Sequence, residues 1–185
     1  MSNDTILVVD VECTCWEKPV RNCVENTNIM EIIEIGICPV DTNSLSIAAP
    51  RSIIVRPQHS TISKFCEGLT GLTQEDVDLG ITFTEACEIL KTEYQSEWTC
   101  VASWGAFDCI QFKKDSKLYG LEYPFSDTHI NIKHLFSLWK NCGNKGLKKA
   151  TANLGAGFIG NQHKAGDDAF NAARVLVGAI KAMRG

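Results

Sequence analysis

The sequence predicts a single α/β domain over residues 1–185, and three observations carry that prediction. First, Ile6-Leu7-Val8-Val9 is a continuous apolar run, as expected of a strand covered on both faces. Second, two further β-branched stretches, Glu31–Cys38 and Ser52–Arg56, follow at spacings suited to a meander. Third, from Thr82 onward apolar residues recur at helical spacing between short strands.

In order along the chain, the opening strand ends in Asp10-Val11-Glu12-Cys13-Thr14-Cys15, and Trp16 to Asn28, with Pro19, Asn22, Asn26 and Asn28, reads as a loop. Pro39 to Asn43 reads as a turn after the second strand, and Pro57 stops the third. Thr82-Phe83-Thr84-Glu85 fits a capping box, from which Phe83, Ala86, Cys87 and Leu90 follow on one helix that ends before Trp98. Thr99 to Trp104 is a fourth strand, leading through Gly105 into a helix with Phe107, Ile110, Lys114 and Leu118. Ile130 to Ile132 is the fifth strand, and His134 to Trp139 and Lys145 to Leu154 are helical, with Gly155 suited to follow a helix end. Ala169, Ala172, Ala173, Leu176, Val177 and Ile180 mark the last helix. No linker, internal repeat or low-complexity segment divides the chain.

Composition bounds the function. The 44% hydrophobic and 22% charged content is that of a globular protein able to bury a core unaided. No apolar run approaches the roughly 18 residues of a membrane span, and no basic segment leads into an apolar one at the start, so a cytoplasmic protein is expected. Nine cysteines are an odd number, and Cys38, Cys87 and Cys100 fall in apolar segments, which points to reduced thiols. Cys13, Cys15 and Cys23 lack the paired spacing of a zinc site. A net charge of −4 argues against coating nucleic acid through counterion release. It leaves room for a strand end gripped in a metal-filled cleft.

The acids supply such a cleft. Side chains alternate along a strand, so Asp10 and Glu12 share a face at its carboxyl end. Asp108 begins a helix just past the fourth strand, and Asp167-Asp168 open the final helix. His163 precedes Asp168 by five residues, a rotation of about 500° on a helix, and Gly166 places it in a loop before the helix begins. Four carboxylates and a histidine are the parts of a two-metal phosphodiesterase. Hard oxygen ligands suit two Mg2+ or Mn2+ ions, which flank one phosphate about 3.5–4 Å apart, while a histidine removes the proton of the attacking water.

These residues resemble the DEDDh branch of the DnaQ-like 3′ to 5′ exonucleases. Asp10-Val11-Glu12 matches the first motif, Phe107-Asp108 the second, and His163 with Asp168 the third, whose interval leaves Asp167 as a helix cap. Val8–Cys15, Glu31-Ile32-Ile33-Glu34, Val55-Arg56-Pro57, Phe65-Cys66, Leu69–Thr73 and Gly166-Asp167-Asp168 are similar to the sub-branch of histone-mRNA and small-RNA 3′ exonucleases. The resemblance implies an RNase H-like fold, a five-stranded mixed sheet flanked by helices. It implies that Asp10, Glu12, Asp108 and Asp168 hold the metals and that His163 is the general base. It implies further that Phe65 and Phe107 hold the terminal base, that Leu69 and Thr70 border the nucleotide, and that the Cys13-Thr14 backbone meets the terminal sugar. Many relatives carry Trp where this chain has Phe107, and no additional RNA-binding domain is present in the sequence.

The expected reaction is removal of nucleoside 5′-monophosphates from a single-stranded 3′ end, RNA in preference to DNA. Two other readings stay open, a DNA proofreading or repair exonuclease and a silent module that binds RNA ends. Lys145, Lys148, Lys149 and Lys164 either contact the strand or form solvated surface. Trp16 is either a lid or strand separator or an ordinary loop aromatic, and His59, His129 and His134 fall outside any motif.

Overall fold

The computed structural model describes residues 4–17 and 29–185, so most of the loop expected from Trp16 to Asn28, Cys23 included, lies outside the described residues. Five strands form one mixed sheet: β1 (Thr5–Cys13), β2 (Ile32–Asp41), β3 (Arg51–Ile54), β4 (Cys100–Ser103) and β5 (His129–Asn131). Their order is β3-β2-β1-β4-β5. The first three pair antiparallel as the expected meander, and β4 and β5 add parallel to β1. Seven helices complete the described chain: α1 (Lys64–Thr70), α2 (Gln74–Asp78), α3 (Phe83–Tyr94), α4 (Phe107–Tyr119), α5 (Ile132–Trp139), α6 (Leu147–Ala152) and α7 (Ala165–Arg184).

The alternation of β1 sorts its side chains onto two cores. Ile6 and Val8 pack with Cys38 and Val40 of β2 against α5, α6 and α7. Val9 and Val11 pack with Ile35 and Ile37 against α3 and α4. Continuing the even set places Asp10 and Glu12 on the α7 side of the sheet. α7 lies close because its sheet-facing residues are small: Ala165, Gly166, Ala169, Ala172 and Ala173 are all buried. Its larger Val175, Leu176 and Ile180 fill the space further along, and fully burying such a side chain contributes about 1.5–3 kcal/mol.

Several boundaries differ from the sequence reading. β2 continues through Pro39 to Asp41, where a turn is expected. The Pro39 carbonyl accepts from the Ala48 amide, so its nitrogen faces the side where β3 has already ended, at Arg51 opposite Ile37, and no β3 acceptor is left unpaired. The turn forms at Asp41 instead, whose carboxylate accepts from the Asn43 and Ser44 amides. β3 stops at Ile54, and Val55 makes only a bridge to Ile81. The fifth strand begins at His129, and Ile132 already belongs to α5, whose first turn the Asn131 side chain caps. α6 is shorter than expected and ends at Ala152.

Two helices, α1 and α2, have no counterpart in the periodicity because they hold seven and five residues. Their only signals are the caps, Ser63 onto the Cys66 amide and a capping box between Thr73 and Asp76. The capping box of Thr82 and Glu85 starts α3 as expected. α4 occupies the expected span, but the apolar residues expected to mark it point outward: Phe107 and Ile110 are each 50% exposed, whereas Cys109 and Phe112 are buried together with Asp108, Gln111, Asp115 and Ser116. The two buried carboxylates have amide partners, and Cys109 and Phe112 pack the same side of α4 into the core. Asp115 accepts from the Ile32 amide and from Gln111, and Gln111 also donates to the Met30 carbonyl. No described helix is long and apolar enough to cross a membrane.

Candidate active site

Three elements meet where β1 ends. Glu12 comes from β1, Asp108 from the first turn of α4, and Asp168 from the first turn of α7. All three are buried, while Asp10 is partly buried beside them. Asp108 reaches round from the opposite face of the sheet and is held there by the Val11 amide at 3.1 Å. Gly105, at φ 122°, gives the chain the tight turn between β4 and α4 that delivers it.

His163 stands in the turn before α7, as Gly166 suggests, with a left-handed φ of 62°. Its amide donates to the Asp168 carboxylate at 2.7 Å, which fixes that conformation. Its exposed ring lies with Nδ1 3.9 Å from Glu12 Oε1. Glu12, His163 and Asp168 bring one potential ligand atom each within 4.8 Å of one another. Asp167 is not the helix cap: α7 begins two residues earlier, at Ala165, and the Asp167 carboxylate accepts from the Asn161 amide in the preceding loop.

The electrostatics of this cluster are those of negative charge confined without compensation. Burial pushes the Glu12 carboxyl up to about 8, helped by the charges of Asp168, Glu34 and Asp108 and opposed by Lys164. Burial likewise raises Asp10, with Asp108, Asp168, Glu12 and Glu34 adding to the effect. Asp108 and Asp168 rise to about 6, again through burial, although hydrogen bonds from backbone amides hold both back. A set of oxygen donors that repel one another and cannot reach water fits a hard divalent cation, which would return every member to its charged form.

The residues expected at the terminal nucleotide divide into two groups. Phe65 and Leu69 lie four residues apart on α1, and both are exposed, as is Phe107 at the start of α4. None of the three serves the core. Thr14 and Thr70 are buried and spent on the framework. The Thr14 amide donates to the Glu31 carbonyl, and its hydroxyl accepts from the Glu31 amide. The Thr70 hydroxyl donates to the Cys66 carbonyl and accepts from the Leu72 amide. Cys13 is buried, and its carbonyl accepts from the Cys66 thiol. The Cys13 carbonyl and the Thr70 hydroxyl therefore both meet Cys66 of α1, while the Cys13 side chain packs into the core with α3 and α4.

Besides Asp115 of α4, two buried acids near the start of β2 escaped role assignment in the sequence. Glu31 accepts from the Gln58 and His59 amides, each at 2.9 Å, from Ser60 Oγ, and from Tyr119 Oη. Burial alone would raise its carboxyl, but these donors outweigh it and hold the group below its ordinary value. The bonds tie the segment before α1 to α4, and Ser63 adds a bond to the Cys15 carbonyl. Glu34 accepts from the Ala165 amide. The signal for both is present in the sequence: acids inside a β-branched strand cost too much to bury without partners.

The eight described cysteines are free thiols. Lys145, Lys148 and Lys149 are exposed, Lys164 is partly buried, and His59 and His134 are exposed. His129 is partly buried, 2.9 Å from Ser103 Oγ through Nε2. Trp16 is partly buried at the edge of the described loop.

Comparison with known proteins agrees with this geometry. Residues 7–176 match the RNase_T family model, described as an exonuclease. The 3′-5′ exoribonuclease 1 of Rattus norvegicus is 31% identical over 188 residues, covering 94% of this chain and 52% of the rat protein. The chain thus spans about half the length of that relative. The probable 3′-5′ exonuclease KapD of Bacillus subtilis (strain 168) is 27% identical over 184 residues, covering 95% of this chain and 84% of KapD. The nuclease domain of 3′hExo, a DEDDh family member bound to rAMP, superimposes with a TM-score of 0.81 at 28% identity, covering 96% of this chain and 92% of that domain. The five-stranded mixed sheet is the RNase H-like exonuclease fold, and members of the family use divalent metal ions. From β1 through most of α7, sequence, fold and acidic cluster agree, and the chain belongs to the RNase_T exonuclease family, on its DEDDh branch.

Proposed function

We propose that this protein hydrolyses single-stranded RNA from its 3′ end, releasing nucleoside 5′-monophosphates, with two Mg2+ or Mn2+ ions held by Asp10, Glu12, Asp108 and Asp168. The observation that supports this reading best is the convergence of Glu12, His163 and Asp168 within 4.8 Å at the mouth of a buried acidic cluster. Bound divalent cations would supply the positive charge that the carboxylates and a scissile phosphate both need.

The chain's own residues do the rest. The His163 ring is exposed beside Glu12, so Nδ1 or Nε2 can take the proton of an attacking water while Glu12 stabilises the resulting imidazolium. The exposed rings of Phe65 and Phe107 stack the terminal base with little regard to its identity, and Leu69 packs beside it. The Cys13-Thr14 backbone meets the terminal sugar, and Thr70 borders the nucleotide. The preference for RNA rests on relatives named as exoribonucleases, and a cytoplasmic location belongs to the same proposal.

The test is degradation of RNA and DNA oligonucleotides of one sequence, labelled at the 3′ end, with Mg2+, Mn2+ or a chelator. Release of labelled nucleoside 5′-monophosphate, faster from RNA and abolished by the chelator, is expected. A label that stays in place with both metals would mean a binding module, and faster release from DNA would mean a proofreading or repair enzyme.

A further inference from the structure

α7 carries Asp168 and ends the turn that holds His163, yet its own N-cap residue, Lys164, makes no side-chain cap bond. The first amides of a helix need an acceptor, above all in a buried setting. That acceptor comes from across the sheet. Glu34 Oε2 takes the Ala165 amide at 3.2 Å, a contact spanning 131 residues of sequence.

The register of the sheet explains why Glu34 is in position. Glu34 lies opposite Glu12, and Gly36 lies opposite Asp10, in the antiparallel ladder of β1 and β2. Residues directly opposite in such a ladder point to the same face. Glu12, Asp10, Glu34 and Gly36 therefore share the patch on which α7 lands. At Gly36 the fit leaves no room for a side chain: a Cβ there would lie 1.9 Å from the Ala165 carbonyl oxygen. Gly166 rests similarly on Ser52, whose Oγ would be 2.6 Å from an added Cβ. The glycines set how close α7 comes, and the Glu34 contact sets where along β2 its first turn stops. Three residues on, that turn delivers Asp168, whose carboxylate holds the His163 amide.

We infer that Glu34 is a positioning residue for catalysis: it caps α7 from the neighbouring strand and thereby aligns Asp168 and the His163 turn with Glu12. Its carboxylate touches the helix and no reacting atom, so it acts through His163 and Asp168. A side chain of equal length with an acceptor oxygen should replace it, whereas one without an acceptor should not. The inference rests on the exonuclease reading above.

The experiment compares Glu34→Gln with Glu34→Met, which fills the same space without an acceptor. Turnover of a labelled oligonucleotide is followed by kcat and KM, and exchange of the Ala165 amide is followed by NMR in the metal-free protein. Glu34→Met should lose about 10- to 100-fold in kcat, the scale on which a displacement of about 1 Å is felt, with KM changed less than about twofold. Its Ala165 amide should exchange faster than in the wild type. Glu34→Gln should restore most of kcat and the protection of that amide. The double variant Glu34→Met/His163→Ala should be slower than His163→Ala alone, but by a smaller factor than Glu34→Met slows the wild type, since only the part of the effect carried by Asp168 remains. Wild-type kcat in Glu34→Met, or equal losses in both Glu34 variants, would overturn the inference. Should Glu34→Met not fold, a folded Glu34→Gln with impaired kcat overturns it by itself, and one with wild-type kcat and a protected Ala165 amide supports it. An inactive wild type would instead sink the exonuclease reading.

Discussion

His163 occupies a backbone conformation that few side-chain-bearing residues adopt, and the Asp168 carboxylate holds it there through the His163 amide. Because that bond uses the backbone, replacing the ring leaves the turn and the acidic cluster in place. His163→Ala should therefore cost about 10²- to 10⁴-fold in single-turnover hydrolysis, the usual scale of general acid–base catalysis, while Mn2+ binding measured by calorimetry stays intact. An active variant would remove His163 from the reaction. Phe107 is half exposed and supports no core, so its role is separable from stability. Phe107→Ala should weaken binding of a nucleoside 5′-monophosphate by about 1–3 kcal/mol, roughly 5- to 150-fold in Kd, with an unchanged melting temperature. Phe107→Trp should bind more tightly than the wild type, through the larger stacking face. At this scale the sequence was informative: a D-x-E pair at the end of an apolar strand and an H-x-x-x-x-D spacing define chemistry through local geometry alone. Thr14 and Thr70 were less legible, because whether a hydroxyl faces a ligand or a neighbouring amide depends on chain segments far away.

α7 fits closely on β2. A methyl group at Gly36 meets backbone, which cannot rotate away. Gly36→Ala should destabilise the fold by about 1–3 kcal/mol in denaturant titration, as overpacking does, and should lower kcat in the folded fraction because Asp168 moves with the helix. A variant of wild-type stability and activity would show that the contact yields without consequence. α4 illustrates the opposite limit of sequence reading. Phe107, Ile110 and Leu118 recur at helical spacing, yet they face outward, and the inward face combines Cys109 and Phe112 with Asp108, Gln111, Asp115 and Ser116. Periodicity reports that a helix has two unlike faces. The inward face is the one on which Cys109 and Phe112 meet the core while Asp108 and Asp115 meet the amides of Val11 and Ile32 in β1 and β2.

For the molecule as a whole, the acidic cluster couples folding, pH and metal. Folding raises Asp10 and takes Glu12 to about 8 and Asp108 and Asp168 to about 6, mainly through burial. A raised carboxyl binds its proton more tightly folded than unfolded, so over that interval the folded state carries more protons and stability falls as pH rises. The metal-free protein should thus lose melting temperature from about pH 5 to about pH 8, with Glu31, held below its ordinary value, opposing the trend only at the acidic end. Mg2+ or Mn2+ should raise the melting temperature more at the upper pH than at the lower, since it binds the charged form. Thermal melts with chelator and with metal at both values measure this, and a metal response independent of pH would contradict it. The sequence by itself determined the five strands, the capped α3, the long final helix and the residue types of the reaction, because these follow from periods and spacings within a few residues. Only the tertiary structure decided that Glu34 and Gly36 lie opposite Glu12 and Asp10, that α7 lands on them, and that α4 turns Asp108 and Asp115 inward and Phe107 and Ile110 outward. Those facts depend on strand register and on helix docking between residues 83 to 131 positions apart, for which no local period exists.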